Sequence, residues 1–394
     1  MMKVQSPQFK SSSTRHGVWR VTALTMLVVS VLTIFPSCSD NDSHTDHKPE
    51  IKGTITGYNE FGAAMLSFLE QDMQEAGFDL GDLVTITVAG KQIDMPYYDG
   101  FYTRNGDYLC VAYPTYPSIC FTANNIGVPQ ELRGLEGKPV VITMKEKAAN
   151  LDVQTALGMK YTYLREDYPS DEAFANARAV KAGRIVEGRL HRTSSPFCND
   201  INRAQYVSEY LERQQVKTVL NLADTEDKML DYYDVMPPYS KKLWDDGSVI
   251  LCPLKSDPTA DEFNNRLIEA LKELPSHPAP YVVHCMEGKD RTGYVCALLE
   301  GLCGATYDEI VADYLKTYDN FYKITPEKDG ALCIVLVSLR LAPCLMHYAG
   351  IENDDESQLP TIDYAMAFSN YLLSHGMSQQ QLDALIKVLT DPNP

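Results

Sequence analysis

Apolar positions along the chain fall into two rhythms. Between Ile51 and Lys147, short apolar runs at 83–88, 108–113, 119–123 and 140–144 are separated by turns rich in Gly, Asn and Asp. Runs this short and closely spaced predict a small antiparallel β-barrel or sandwich over residues 51–147. Residues 148–183 read as a connector with a helical tendency around 170–181. From Arg184 the rhythm changes: runs at 216–222, 249–254 and 281–283 read as strands, while 262–274 carries apolar side chains at helical spacing. That order predicts an α/β domain over residues 184–394, a central sheet flanked by helices and preceded by the small all-β domain. Helical stretches follow at 292–303, 307–317, 332–346, 362–375 and 378–389, and no internal repeat is evident.

The amino terminus follows a different logic. Lys3, Lys10, Arg15 and Arg20 precede an apolar run from Val21 to Phe35, which ends in Pro36-Ser37-Cys38. The run is shorter than the ~20 residues a bilayer-spanning helix needs, so residues 1–37 read as an export signal rather than an anchor helix. With a Cys directly after the run, the segment resembles a bacterial lipoprotein signal. The resemblance implies that Cys38 is lipidated and heads the mature chain, at the outer membrane or cell surface and facing the periplasm or exterior. Phe35-Pro36-Ser37 departs from the usual Leu-small-small pattern, which leaves ordinary cleavage near Ser37 as the alternative. One acyl chain binds a membrane only marginally, so an anchor at Cys38 implies several. Residues 38–50 form a polar tether, and its Asp40, Asn41, Asp42 and Asp46 resemble a surface-display signal of some Gram-negative lipoproteins.

A chain of 394 residues, 44% apolar and 22% charged, has globular composition, which excludes a fibre or a multi-span membrane protein. There are 35 basic and 53 acidic side chains, a formal charge of −18. Loss of the four basic residues of the signal takes it to −22, against nucleic acid as a partner. Ten cysteines, nine if Cys38 is lipidated, fit either a disulfide framework or buried thiols. No C-x-x-C pair or His-Cys cluster occurs, so neither a metal site nor a cofactor is expected.

The informative segment is Tyr281-Val282-Val283-His284-Cys285-Met286-Glu287-Gly288-Lys289-Asp290-Arg291-Thr292-Gly293, read as strand, loop and buried helix. A loop running from a strand end into a helix start aims successive backbone N–H groups at one point, and with the positive helix end these form an anion cradle. The cradle would consist of Met286, Glu287, Gly288, Lys289, Asp290 and Arg291. Arg291 can offer two parallel N–H donors to phosphate oxygens. A helix start and a nearby guanidinium both favour thiolate over thiol at Cys285, which makes it a nucleophile for phosphorus.

The stretch HCMEGKDRTG resembles the signature loop of the cysteine-dependent tyrosine phosphatases, in the HCxxGKDRTG form of bacterial tyrosine and dual-specificity enzymes that also accept phosphoinositides. The similarity extends upstream to Gly188-Arg189-Leu190-His191-Arg192-Thr193-Ser194-Ser195 and to the strand at 216–222, and downstream to Gly304-Ala305-Thr306-Tyr307-Asp308-Glu309-Ile310. It covers about residues 184–394. Asn221-Leu222-Ala223 stands where the family usually carries Asp-Leu-Arg. The resemblance implies Cys285 as nucleophile, Arg291 as phosphate clamp, Thr292 as hydroxyl donor to the sulfur, and His284 orienting the loop from beneath. Two carboxyls compete as general acid: Asp290 within the loop, which is favoured, and Asp257 in a Pro-containing loop after the strand at 249–254. Lys289 is either a second cation at the cradle mouth or a partner for Glu287 or Asp290. More faintly, Gly81-Asp82-Leu83-Val84, Tyr97-Tyr98-Asp99-Gly100, Asn124-Asn125 and residues 137–142 resemble the small β-domain of the S-adenosylmethionine hydroxide adenosyltransferases, with no counterpart of that family's larger domain.

The expected function is hydrolysis of phosphate monoesters through a phosphocysteine, with a phosphoprotein or phosphorylated small molecule as substrate and protein phosphotyrosine favoured, dual specificity included. Inositol phosphates or phosphoinositides are the alternative substrates, and a non-catalytic phospho-ligand binding protein is the alternative from another class.

Overall fold

The computed structural model describes residues 48–104, 106–353 and 355–393; the segment 1–37 expected to be an export signal, Cys38 and most of the expected tether lie outside the described residues. Strands β1 (Glu50–Tyr58), β2 (Ala64–Leu66), β3 (Leu83–Val88), β4 (Lys91–Tyr98), β5 (Tyr108–Val111), β6 (Cys120–Ala123) and β7 (Pro139–Glu146) close into a barrel in the order β1-β2-β6-β5-β4-β3-β7. The strand period of two explains its filling: along β3, Val84, Ile86 and Val88 are buried, while Leu83, Thr85 and Thr87 are half-buried. The buried set packs with Met95, Phe121, Val140 and Ile142. The β3–β4 hairpin turns on Ala89 and Gly90, both at positive φ, the twist that a two-residue hairpin requires. One pair departs from the expected antiparallel pattern, since β4 and β5 run parallel through Tyr97 opposite Cys110 and Tyr98 opposite Val111.

The stretch read as a helical connector is more varied. Helix Leu151–Leu157 is tied to the barrel: Gln154 Nε2 donates to Asp99 Oδ1 at 2.8 Å, and Asn150 N–H donates to Gly81 O at 2.7 Å. The helical tendency at 170–181 yields only helix Asp171–Ala175, started by Ser170, whose Oγ accepts from Ala173 N–H. Asn176 ends it in the left-handed region at φ 49°, so the chain turns and enters strand β8 (Arg178–Ala179).

A five-stranded sheet follows, in the order β11-β10-β12-β9-β8, from β8, β9 (Leu190–Thr193), β10 (Thr218–Asn221), β11 (Val249–Leu251) and β12 (Tyr281–His284). All neighbours are parallel except β8 against β9. Buried on both faces, β10 and β12 send alternate side chains to different cores. Leu220, Tyr281 and Val283 join the large core with helix Asp290–Leu302, whereas Val219 and Val282 join the one packed on helix Ala204–Arg213. The expected helix at 332–346 is longer and broken into Pro326–Leu336, a wider turn at Val337–Leu341 and Ala342–Ala349. All nine described cysteines are free and buried, which replaces the disulfide alternative with buried thiols. Barrel, 148–183 segment and α/β domain together make one compact unit over residues 48–394.

Candidate active site

The loop 285–289 leaves the carboxyl end of β12, a central strand, and enters helix Asp290–Leu302, the place where parallel sheets present ligand sites. Gly288 makes its tightest bend at φ 68°, and a Cβ there would lie 2.3 Å from Thr193 O, so only glycine lets the loop close against the end of β9.

Every carbonyl from Cys285 to Lys289 is held from outside the bend. Cys285 O faces His284 Nδ1 at 3.2 Å, which makes that nitrogen the protonated one. Met286 O accepts from Ser195 N–H at 3.0 Å. Glu287 O accepts from Ser194 Oγ at 3.0 Å and Asn176 Nδ2 at 3.2 Å. Gly288 O accepts from Arg192 Nη2 at 3.0 Å and Asn176 Nδ2 at 3.1 Å, and Lys289 O from Arg192 Nη2 at 3.3 Å. In a trans peptide the N–H points opposite to the C=O. The amides of residues 286–290 are therefore turned into the bend, and they donate to no other described group. Five converging N–H groups beside the positive end of a three-turn helix make an oxyanion bowl.

The sequence stopped short of the groups that hold this bowl. Arg192 lies in the segment already compared with the family, though without an assigned role; Asn176, Arg178, Asp313 and Glu300 carry no motif. Arg192, fully buried, pairs with Asp313 Oδ2, and Arg178 Nε donates to Asp313 Oδ1 at 2.8 Å. Burial opposes ionisation of Asp313, yet the two guanidinium groups outweigh it and hold the carboxyl below its ordinary range. Glu300 is pushed the other way, by burial first and then by the Asp313 charge.

Cys285 lies at the floor, 4% exposed. Arg291 Nη1 donates to Leu222 O at 3.0 Å and Leu254 O at 3.1 Å, which anchors the guanidinium from two strand ends. Leu222 thus contributes its backbone, so the altered Asn221-Leu222-Ala223 sequence still serves Arg291, while Asn221 Oδ1 braces the turn by accepting from Ala223 N–H and Asp224 N–H. Thr292 Oγ1 is buried with no hydrogen-bond partner, as a hydroxyl reserved for the bowl would be. Burial pulls the His284 pKa down to about 3, so the ring is neutral and supports the loop rather than carrying charge.

The two candidate acids differ. Asp290 opens the helix, with Oδ1 buried and unpartnered and Oδ2 3.8 Å from Lys289 Nζ. Asp257 Oδ1 instead accepts from Thr259 N–H at 2.9 Å and Thr259 Oγ1 at 2.7 Å. Neither Asp257 nor Asp261 caps the next helix, whose N-cap is Ala260. Lys289 Nζ lies 3.2 Å from Glu287 Oε2, so its pairing reading fits the geometry; burial opposes its charge, but Asp290 and Glu287 hold its pKa above the ordinary lysine value.

Residues 201–391 match the tyrosine phosphatase family. The triple specificity protein phosphatase PtpB of Mycobacterium tuberculosis is 51% identical over 55 residues, 14% of this chain and 20% of that protein, so the chain spans about a fifth of that relative's length. Among solved structures, the catalytic core of the PP-IP phosphatase SIW14 from S. cerevisiae is similar at 20% identity, covering 50% of this chain and 94% of that one with a TM-score of 0.26. An uncharacterized conserved protein from Thermotoga maritima is similar at 18% identity, covering 23% and 35%, with a TM-score of 0.22. The segment 201–391, which carries Cys285, Arg291 and the inward-facing amides on one loop, is that of a cysteine-dependent tyrosine phosphatase domain.

Proposed function

We propose that the protein is an exported phosphatase that hydrolyses phosphate monoesters, protein phosphotyrosine foremost, through a phosphocysteine at Cys285. The observation that carries this reading is the set of outward-held carbonyls at 285–289, which leaves five amides facing the floor where Cys285 lies. The sulfur attacks phosphorus, the ester P–O bond breaks, and its electron pair goes to the leaving oxygen, which takes a proton from Asp290. Water then attacks phosphorus and loses a proton to the Asp290 carboxylate, and the P–S bond breaks to release orthophosphate. Charge on the equatorial oxygens meets Arg291 and the amides, while the Thr292 hydroxyl stabilises the departing sulfur.

Burial of the nucleophile fits phosphotyrosine: Cys285 is 4% exposed, and an aryl ester presents its phosphorus to such a sulfur on a rigid stem. Lys289, engaged by Glu287, gives the inositol phosphate alternative no extra support. Export and a lipid at Cys38 rest on the amino-terminal sequence. The test is hydrolysis of p-nitrophenyl phosphate and of phosphotyrosine peptides by the mature chain. Cys285→Ser should abolish both, and unchanged turnover would place the chemistry elsewhere.

A further inference from the structure

A cleft of about 520 Å³ opens at Tyr294, on the helix that the loop enters, and its two walls come from different parts of the fold. Phe101, Arg104 and Asn124 stand on the rim of the barrel, and Asp257, Tyr294 and Arg340 on the α/β domain. Arg340 sits in the wide turn Val337–Leu341, which interrupts an otherwise α-helical run and re-aims the side chains around it. Its guanidinium is half-buried and has no hydrogen-bonded or ion-paired partner among the described residues. Burial alone would weaken this charge, but the fields of Asp290 first and then Tyr294 sustain it, and the same cation is felt by Tyr102 on the barrel. A half-buried cation that lines the cleft, lies within the field of Asp290 and reaches Tyr102 on the barrel by its own field, yet is neutralised by neither through direct contact, is suited to an anion brought by a ligand.

We infer that the cleft between barrel and α/β domain is a specificity subsite, in which Arg340 receives the carboxylate of an acidic residue flanking the phosphotyrosine of a peptide substrate. This rests on the reading of Cys285 as a phosphotyrosine-directed nucleophile. Phe101, Tyr294 and Met346 give the cleft the apolar surface that peptide side chains need, and Lys289 does not compete for the anion because Glu287 already engages it. The barrel thereby acquires a role: it supplies the second wall of the substrate site.

The experiment compares two phosphotyrosine peptides that differ by Glu or Gln beside the phosphorylated residue. Both are titrated calorimetrically into the Cys285→Ser chain, where binding is read without turnover, and both are assayed with the catalytically intact chain. The Glu peptide should bind about tenfold more tightly, the scale of one charge-assisted hydrogen bond. Arg340→Gln in the same background should erase that ratio. Thr103→Glu, on the barrel wall and outside the α/β core, should erase or invert it by adding a negative charge. An unchanged Glu-to-Gln ratio in both variants overturns the subsite. So does dependence on Arg340 for a compact sugar bisphosphate but for neither peptide. Failure of the catalytic reading shows separately, as p-nitrophenyl phosphate hydrolysis that survives Cys285→Ser.

Discussion

Gly288→Ala tests the bowl at its tightest point. The residue sits at φ 68°, where a side chain costs about 1 kcal/mol relative to glycine. A Cβ would also meet Thr193 O at 2.3 Å, Thr193 C at 2.5 Å and Ser194 N at 2.9 Å, all of them backbone atoms of the central sheet's end. Ordinary contact begins at 3.4 Å, so the loop must withdraw by roughly 1 Å. That withdrawal pulls Gly288 O away from Arg192 and Asn176, which hold it at 3.0 and 3.1 Å, and swings the amides away from the phosphate position. A displacement of ~1 Å in groups that position a reacting centre lowers turnover by about 100-fold. The whole chain should lose roughly 1–3 kcal/mol of stability and still fold. Steady-state hydrolysis of p-nitrophenyl phosphate alongside urea unfolding measures both effects. Activity within about threefold of the parent, in a chain of unchanged stability, would show that the outward-held carbonyls do not set the amide positions, and the account of the bowl would fail.

Two further predictions follow from the same geometry. Burial holds the folded-state pKa of His284 at about 3 against an ordinary 6.5, so between those values the unfolded chain binds the extra proton and folding weakens as pH falls. Stability should be intact above pH 6.5 as far as this residue is concerned and decline toward pH 3, and His284→Gln should flatten that part of the curve in pH-dependent unfolding; an unaltered slope would contradict the assignment. For the general acid, Asp290→Asn should slow poor leaving groups such as alkyl phosphates by about 100-fold while sparing p-nitrophenyl phosphate, whereas Asp257→Asn should not discriminate between them. The opposite pattern in a leaving-group series would transfer the role to Asp257.

What was legible in the sequence was whatever local chemistry enforces. The strand 281–283, the loop and the following helix could be read because β-branched and apolar residues, then Gly288 and Asp290, each favour the same local backbone. The run at 83–88 was legible for the same reason, since its alternation alone assigns the two faces of β3. The helical reading of 170–181 failed because residues 178 and 179 take their conformation from pairing with β9, a contact across sequence that no local propensity records. That misreading concealed functional residues as well, for Asn176 at the helix end and Arg178 in β8 reach the loop and Asp313 only once β8 is in the sheet.

The barrel shows the same limit from the other side. Its strands could be anticipated from spacing, but its rim is brought beside Arg340 only by contacts between distant parts of the chain. The residues proposed to react sit on one continuous segment, from Cys285 to Thr292, because strand, loop and helix suffice to form an anion bowl. The groups that hold that bowl rigid, and those placed to choose among its ligands, come from β8, β9, helix Tyr307–Tyr322, the wide turn at Val337–Leu341 and the barrel. Chemistry in this chain is therefore local in sequence, whereas rigidity and selectivity are properties of the assembled fold, and substitutions far from the signature loop should alter substrate choice more readily than they alter the reaction.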